Sequence, residues 1–179
     1  MPPGACCSVP GNGPTHRHSC PLTRTTRSGA GTRAVPSTET QVLEWFDTYH
    51  QDWEREKGGH WAVTRDGGEV LGRIALRGLD FDDGIAGVAY WVLPAARGAG
   101  VASRALTALT AWALDEIGFH RLELDHSTRN TASCRVATKC GYLLEGIKRS
   151  AAVHDDGRHD MHLHARIRPA GGFFHPSVA

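Results

Sequence analysis

The sequence predicts an α/β chain of the α+β kind, with a central mixed, mostly antiparallel sheet flanked by helices. Three observations carry this. Between residues 37 and 168, short runs rich in Val, Ile, Leu and aromatics alternate with segments of helical apolar spacing. The first three strand-like runs are joined by tight turns, which makes an antiparallel meander. The next strand is reached only through a helix, which places it parallel to the strand before it.

A chain of 179 residues suits one domain of ordinary size with tails to spare. The net charge of +1 gives no global field that would draw nucleic acid, and none is expected as a partner. No apolar run approaches membrane-spanning length, so no membrane is expected either. The opening MPPGACCSVPGNG lacks the apolar stretch of a secretory signal. Five cysteines, an odd number without zinc-site spacing, fit reduced thiols and a cytoplasmic location.

Residues 1–36 hold six of the nine prolines, much Gly, Ser and Thr, and no apolar periodicity. They read as a low-complexity segment, disordered or divergent. Cys6, Cys7, Cys20, His16 and His18 within it match no common metal spacing. Order is expected from Ser37. Thr38 and Gln41 have capping-box spacing, and Val42, Trp45, Phe46, Tyr49 and Trp53 follow at helical intervals, so Thr38–Lys57 reads as an amphipathic helix. Its aromatics read as core.

Trp61–Thr64 reads as a short strand, Asp66-Gly67-Gly68 as a hairpin turn, and Glu69–Arg77 as the returning strand. Leu79–Gly84 is a polar turn. Ile85–Leu93 is the central strand, stopped by Pro94. A helix from Gly100 carries Val101, Ala105, Leu109, Trp112 and Leu114 as core candidates and ends near Gly118, a C-cap. Arg121–His126 is a strand. Asn130-Thr131-Ala132-Ser133 opens a helix that ends at Cys140-Gly141. Tyr142–Arg149 and Arg158–Ile167 are strands about a turn at Asp155-Asp156-Gly157, and 169–179 is a tail.

The stretch from the central strand into the following helix is an anion site by its chemistry. Glycine lets a ligand approach the backbone, and the first N–H groups of a helix lack intrahelical partners. A pyrophosphate is the expected ligand. A Walker loop would need Gly-Lys-Ser/Thr, but Val101-Ala102 follows Gly100. A dinucleotide fingerprint would need a third glycine, but Ser103 stands there. What fits is Arg97-x-x-Gly100-x-Ala102, preceded by Tyr90-Trp91-x-x-Pro94, which resembles the coenzyme A loop of the GNAT N-acetyltransferase superfamily. A second segment, Asn130-x-x-Ser133, Arg135-Val136-Ala137 and Lys139-Cys140-Gly141-Tyr142, closely resembles the RimJ/RimL-like branch, which acetylates amino groups. Leu144-Glu145-Gly146 and Arg158-His159-Asp160-Met161 resemble it too. The likeness spans about Ser37 to Ile167, so residues 37–168 are taken as the catalytic domain.

The resemblance implies the GNAT fold, splayed between the family's fourth and fifth strands, here Ile85–Leu93 and Arg121–His126. It also implies direct transfer of acetyl from acetyl-CoA, as co-substrate, to a primary amine. Arg97, Gly98, Ala99, Gly100, Val101, Ala102 and Ser103 would supply backbone donors to the diphosphate, with Arg97 as a source of charge. The pantetheine arm would pair like an added strand with Trp91, Val92 and Leu93. The Val92 or Leu93 amide would face the thioester oxygen. In that branch the Asn equivalent to Asn130 holds the pantetheine arm or the splayed strand. Ser133 would protonate the leaving thiolate, with Tyr142 as second choice or simply a core aromatic. An ammonium must lose a proton before it attacks. His126, Asp82, Asp83 or a water chain could accept it, and His126 also reads as an ordinary surface residue. Asp125 should point to the opposite face from His126.

Two departures qualify the match. Family members begin with a strand and helix before the one at Thr38, and Met1–Arg33 shows neither, being divergent or lacking the native start. Gly87 stands where many relatives carry a Glu. A missing first strand would leave a sheet edge that a homodimer could cover. These departures motivate an alternative, an acyl-CoA-binding module without turnover. The acceptor is a protein N-terminal α-amine or a small-molecule amine. His154, His159, His162 and His164 invite a metal reading, and His162 and His164 share a strand face. No Glu or Cys completes a familiar spacing, so they are expected to be structural and no metal is expected. Cys134 and Cys140 are expected as buried thiols, since direct transfer needs no enzyme nucleophile.

Overall fold

The structure, a computed structural model, describes residues 48–169. Residues 48–54 are helical (α1). Then follow β1 (Gly58–Thr64), β2 (Val70–Asp80), β3 (Ile85–Val92), a 3₁₀ turn at Pro94–Ala96, α2 (Val101–Ala111) with a π-helical continuation at Trp112–Ile117, β4 (Arg121–Ser127), α3 (Thr131–Lys139), β5 (Leu143–His154) and β6 (Gly157–Ile167). The six strands form one sheet in the order β1-β2-β3-β4-β6-β5. All neighbours are antiparallel except β3 and β4, the pair connected through α2. The meander and the parallel crossover are as the sequence predicts.

The elements differ from expectation chiefly at their ends. The upstream part of the helix predicted from Thr38 lies outside the described residues. Its downstream end is at residue 54, not Lys57, because Glu56 takes a left-handed φ of 54° and the Lys57 N–H turns back to the Asp52 carbonyl at 2.8 Å. β1 starts at Gly58, three residues before the predicted Trp61. A Cβ on Gly59 would lie 2.4 Å from the Trp61 ring, so the residue that looks like a strand breaker is the one that fits. The hairpin turn is as predicted: Asp66 and Gly67 both take positive φ, and the Gly68 N–H closes onto the Arg65 carbonyl at 3.1 Å. β5 continues past Arg149 to His154 through a bulge, where Ser150 has a φ of 50° and its N–H reaches Asp160 Oδ1 at 2.7 Å.

The core lies between the sheet and α2. Ile74, Leu76, Ala86, Val88, Leu122 and Leu124 occupy alternate positions on adjacent strands, so one face of the sheet is apolar. Ala105, Leu106, Leu109, Ala113, Leu114 and Phe119 cover it. Leu106, which the helical spacing did not single out, is fully buried, and its truncation to Ala should cost about 2–5 kcal/mol. The π-helical turn carries Trp112 against Trp61, edge to face at 5.4 Å, and Gly118 ends it in the left-handed conformation. The opposite face carries α1. There Tyr49 stacks on His60 at 3.8 Å, and the Arg73 guanidinium lies over Tyr49 and donates to His60 Nδ1.

Candidate active site

β3 and β4 pair from Ile85 with Arg121 only as far as Val88 with Leu124. Beyond that point the two strands splay apart. The Leu93 N–H bonds to the Leu71 carbonyl at 2.9 Å. Backbone groups of an antiparallel strand turn alternately to either side. With Gly72 opposite Val92, the N–H and C=O of Tyr90 and Val92 therefore turn away from β2 into the splay, while those of Trp91 and Leu93 turn toward β2. This corrects part of the expectation. Trp91 and Leu93 cannot offer main-chain groups to a ligand in the splay, and of the two amides named for the thioester oxygen only Val92 faces it.

The turn after β3 delivers the helix α2 to the same end of the sheet. Gly100 is its N-cap, at a left-handed φ of 72°. The first intrahelical bond runs from the Arg104 N–H to the Gly100 carbonyl at 3.0 Å, which leaves the N–H groups of Val101, Ala102 and Ser103 without intrahelical acceptors. Gly98 also has positive φ, so the stretch Gly98-Ala99-Gly100 presents backbone rather than side chains. Arg97 donates from Nε to the Val92 carbonyl at 3.2 Å, and Arg104, a cation the motif did not flag, donates to the Ala99 carbonyl at 2.8 Å. Two guanidinium groups thus sit beside three N–H donors that have no intrahelical acceptor and no other partner among the described residues, which is the chemistry of a phosphate cradle.

The segment opening α3 brings the second motif to the splay. Asn130 is the N-cap, and its Oδ1 accepts from the Ser133 N–H at 3.0 Å. Its side-chain carbonyl is thereby engaged in holding the helix rather than free for a ligand. Ser133 is half-buried beside the Tyr90 hydroxyl. Burial raises the Tyr90 phenol above its ordinary range and Ser133 offsets part of that rise, but no group makes hydrogen-bond geometry with the Tyr90 oxygen among the described residues. Tyr90 is a functional candidate the motif contained without assigning. Tyr142 is elsewhere. Thr110 gives its one hydroxyl proton to the Leu106 carbonyl at 2.6 Å, so Tyr142, 2.7 Å from Thr110 Oγ1, must be the donor there. Tyr142 is 1 % exposed, and burial pushes its phenol up to about 12. It belongs to the core, which removes it as a proton donor to a thiolate. Cys140 is buried with it, its thiol against the Ser103 carbonyl at 3.4 Å.

His126 is buried rather than on the surface. Its Nδ1 lies 2.9 Å from the Ser127 carbonyl, its Nε2 has no partner among the described residues, and burial holds it below the ordinary imidazole range. Asp125 does point to the other face, where Lys148 meets it at 3.0 Å. Asp82 and Asp83 sit at the foot of β3, where the Asp83 N–H binds Asp80 Oδ1 at 2.9 Å. The length of β3, about 25 Å, separates them from Val92 at the far end of the splay and excludes them as proton acceptors there.

The histidine-rich end divides in two. His154 stacks on His159 at 3.9 Å. His159 Nδ1 meets Ser127 Oγ at 2.8 Å and its Nε2 meets Asp156 Oδ1 at 2.8 Å. With Ser127 1 % exposed, this Ser-His-Asp chain has no room for a substrate and braces the β4–β6 junction. His162 and His164 instead join His126. Cys134 completes that group from α3, contrary to the expectation that no cysteine would do so. Spacing along the chain could not show this, because the residues arrive from β4, α3 and β6.

A protein-family model described as an acetyltransferase (GNAT) domain matches residues 20–143. The chain is 23% identical over 130 residues to the uncharacterized N-acetyltransferase YoaA of Bacillus subtilis, covering 72% of this chain and 73% of that protein. It is 29% identical over 99 residues to the ribosomal-protein-serine acetyltransferase of Escherichia coli, covering 55% of each. Among solved structures, RimL, a ribosomal L7/L12 α-N-protein acetyltransferase in complex with coenzyme A, superposes with a TM-score of 0.71 at 21% identity, covering 75% of this chain and 76% of that one.

Proposed function

The chain belongs to the GNAT acetyltransferase domain family, and we propose that it transfers acetyl from acetyl-CoA directly to a primary amine in a ternary complex. It is an acyltransferase by that membership. The carrying observation is the end of β3–β4 pairing at Val88 and Leu124, which turns the Val92 N–H into a gap flanked by the free N–H groups of α2 and by Ser133. The residues present fit a coenzyme A thioester. The cradle of Val101, Ala102 and Ser103, with Arg97 and Arg104, suits a diphosphate. The backbone groups of Tyr90 and the Val92 N–H turn into the splay and offer a strand edge to an amide-rich arm, while the Val92 carbonyl is held by Arg97.

Acetyl-CoA supplies an activated acyl group. The Val92 N–H is placed to stabilise negative charge on the acyl oxygen. Ser133 is the proton donor to the leaving sulfur, with the protonated Tyr90 behind it. Neutral His126 is the final acceptor for the proton the amine must shed, which reaches its Nε2 by relay, since that atom is buried and without a partner among the described residues. A protein N-terminal α-amine is the first acceptor to test, supported by the likeness to the ribosomal L7/L12 α-N-protein acetyltransferase and the ribosomal-protein-serine acetyltransferase, with small-molecule amines second. A cytoplasmic location belongs to the same reading. So does a homodimer, with the exposed Leu143, Ile147 and Val153 of edge strand β5 as the apolar area available to a second copy.

The test is free-thiol release from acetyl-CoA against a panel of peptide N-termini and small amines. Amine-dependent thiol release supports the reading. Acetyl-CoA binding without release for any amine would overturn it.

A further inference from the structure

We propose that the chain binds one zinc-class divalent cation through His126, Cys134, His162 and His164. The four side chains each offer one ligand atom, and these atoms all lie within 4.8 Å of one another. Register explains the convergence. His126 stands directly opposite His162 on antiparallel neighbours β4 and β6, and His164 is two residues on, so all three rings emerge on one face. The rings surround a common point, with His126 to His164 centroids 5.0 Å apart and His126 to His162 5.3 Å. Cys134 comes down onto that face from the first turn of α3.

A second observation points to a ligand. His126 Nε2, His162 Nδ1 and His164 Nε2 are all buried without a hydrogen-bond partner among the described residues. Buried polar atoms are normally paired. His126 and His164 are 5 % and 1 % exposed, so water does not substitute freely. The outer nitrogens of His126 and His164 fix the tautomers that coordination needs. His126 Nδ1 gives its proton to the Ser127 carbonyl at 2.9 Å, and His164 Nδ1 faces the Tyr142 carbonyl at 3.4 Å, which leaves each Nε2 with its lone pair inward.

One thiolate and three imidazoles form a borderline-soft set that suits zinc in four-coordinate geometry. Tetrahedral zinc needs such atoms about 3.3–3.6 Å apart, so side-chain rotations of about an ångström close the set. On binding, the Cys134 thiol releases its proton to solvent, the three imidazoles enter neutral through their lone pairs, and no electron changes hands. The site lies one residue from Ser133. A bound ion occupies Nε2 of His126, so metal binding and proton acceptance at that atom exclude each other. The metal site itself does not depend on acetyl transfer, because every readout below is of the metal.

The experiment is reloading of the chelator-stripped full chain with cobalt(II), then competition with zinc. One equivalent of cobalt should give a thiolate-to-cobalt charge-transfer band and the intense visible bands of a four-coordinate ion. Cys134→Ser should lose the charge-transfer band while keeping its far-UV circular dichroism. His162→Ala and His164→Ala should each weaken zinc binding by about tenfold or more. His154→Ala should bind as the parent does. A chain with Cys6, Cys7 and Cys20 all changed to Ser should keep the full spectrum. Absence of the charge-transfer band in the parent, its survival in Cys134→Ser, or its loss in the Cys6/Cys7/Cys20 variant overturns the proposal.

Discussion

Asn130 Oδ1 accepts a hydrogen bond from the Ser133 N–H at 3.0 Å, so the residue that caps α3 also fixes the backbone of the proposed proton donor. Asn130→Ala should therefore do two things together. It should lower stability by about 1 kcal/mol, the ordinary worth of a cap, and it should lower turnover by loosening Ser133. Asn130→Asp keeps an accepting oxygen and should restore most of both. Urea midpoints and thiol release on the same preparations check this. A stability loss with unchanged turnover would confine Asn130 to a cap.

Ser133 and Tyr142 should separate cleanly. Ser133→Ala removes the group beside Tyr90 and should reduce kcat by about a hundredfold. Tyr142→Phe removes only a bond to Thr110, which keeps its own bond to Leu106, and should cost about 1 kcal/mol of stability while changing kcat by less than about threefold. Steady-state kinetics decide this, and a large kcat loss in Tyr142→Phe would return it to the proton path.

Gly100 combines backbone strain with charge placement. A side chain there must adopt a φ of 72° and pass the Arg104 guanidinium, 3.1 Å from the added Cβ. Gly100→Glu also sets a carboxylate against the free N–H groups of α2 and should raise the KM for acetyl-CoA by at least about tenfold. Gly100→Ala carries the strain without the charge and should raise it less. Equal effects would mean that the α2 N-terminus does not hold the diphosphate.

His60 should make stability fall with acid. Burial lowers its pKa to about 4, with the neighbouring Arg73 guanidinium as the next cause. Arg73 donates to Nδ1, which requires that nitrogen unprotonated. The unfolded chain then binds more protons than the folded one between about pH 6.5 and 4. Stability from this group is fully present above about 6.5 and is lost as pH falls through that window, by at most about 3 kcal/mol. Denaturant midpoints at pH 7.5 and 4.5 should differ less in His60→Gln than in the parent. An unchanged difference would place the acid sensitivity elsewhere.

Zinc should inhibit acetyl transfer reversibly. If His126 Nε2 accepts the amine proton, a bound ion there should lower turnover by about tenfold or more, and chelator should restore it. Cys134→Ser should blunt the inhibition. Turnover indifferent to zinc in a chain shown to carry it would remove His126 as the proton acceptor.

The sequence by itself determined the alternation of strand and helix, the tight turn at Asp66-Gly67, the Gly100 helix start and the Asn130-x-x-Ser133 opening, because each depends on residues within a few positions of one another. Local spacing also placed Asp125 and His126 on opposite faces. Only the tertiary structure decided what depends on strand pairing. It turned Val92 into the splay and Leu93 toward Leu71, since which side a backbone group faces depends on the partner strand's register. It buried the Tyr142 hydroxyl against Thr110, a contact between two elements that no motif encodes. It gathered His126, Cys134, His162 and His164, which no linear spacing could reveal, because β6 enters the sheet between β4 and β5 and α3 folds back over them.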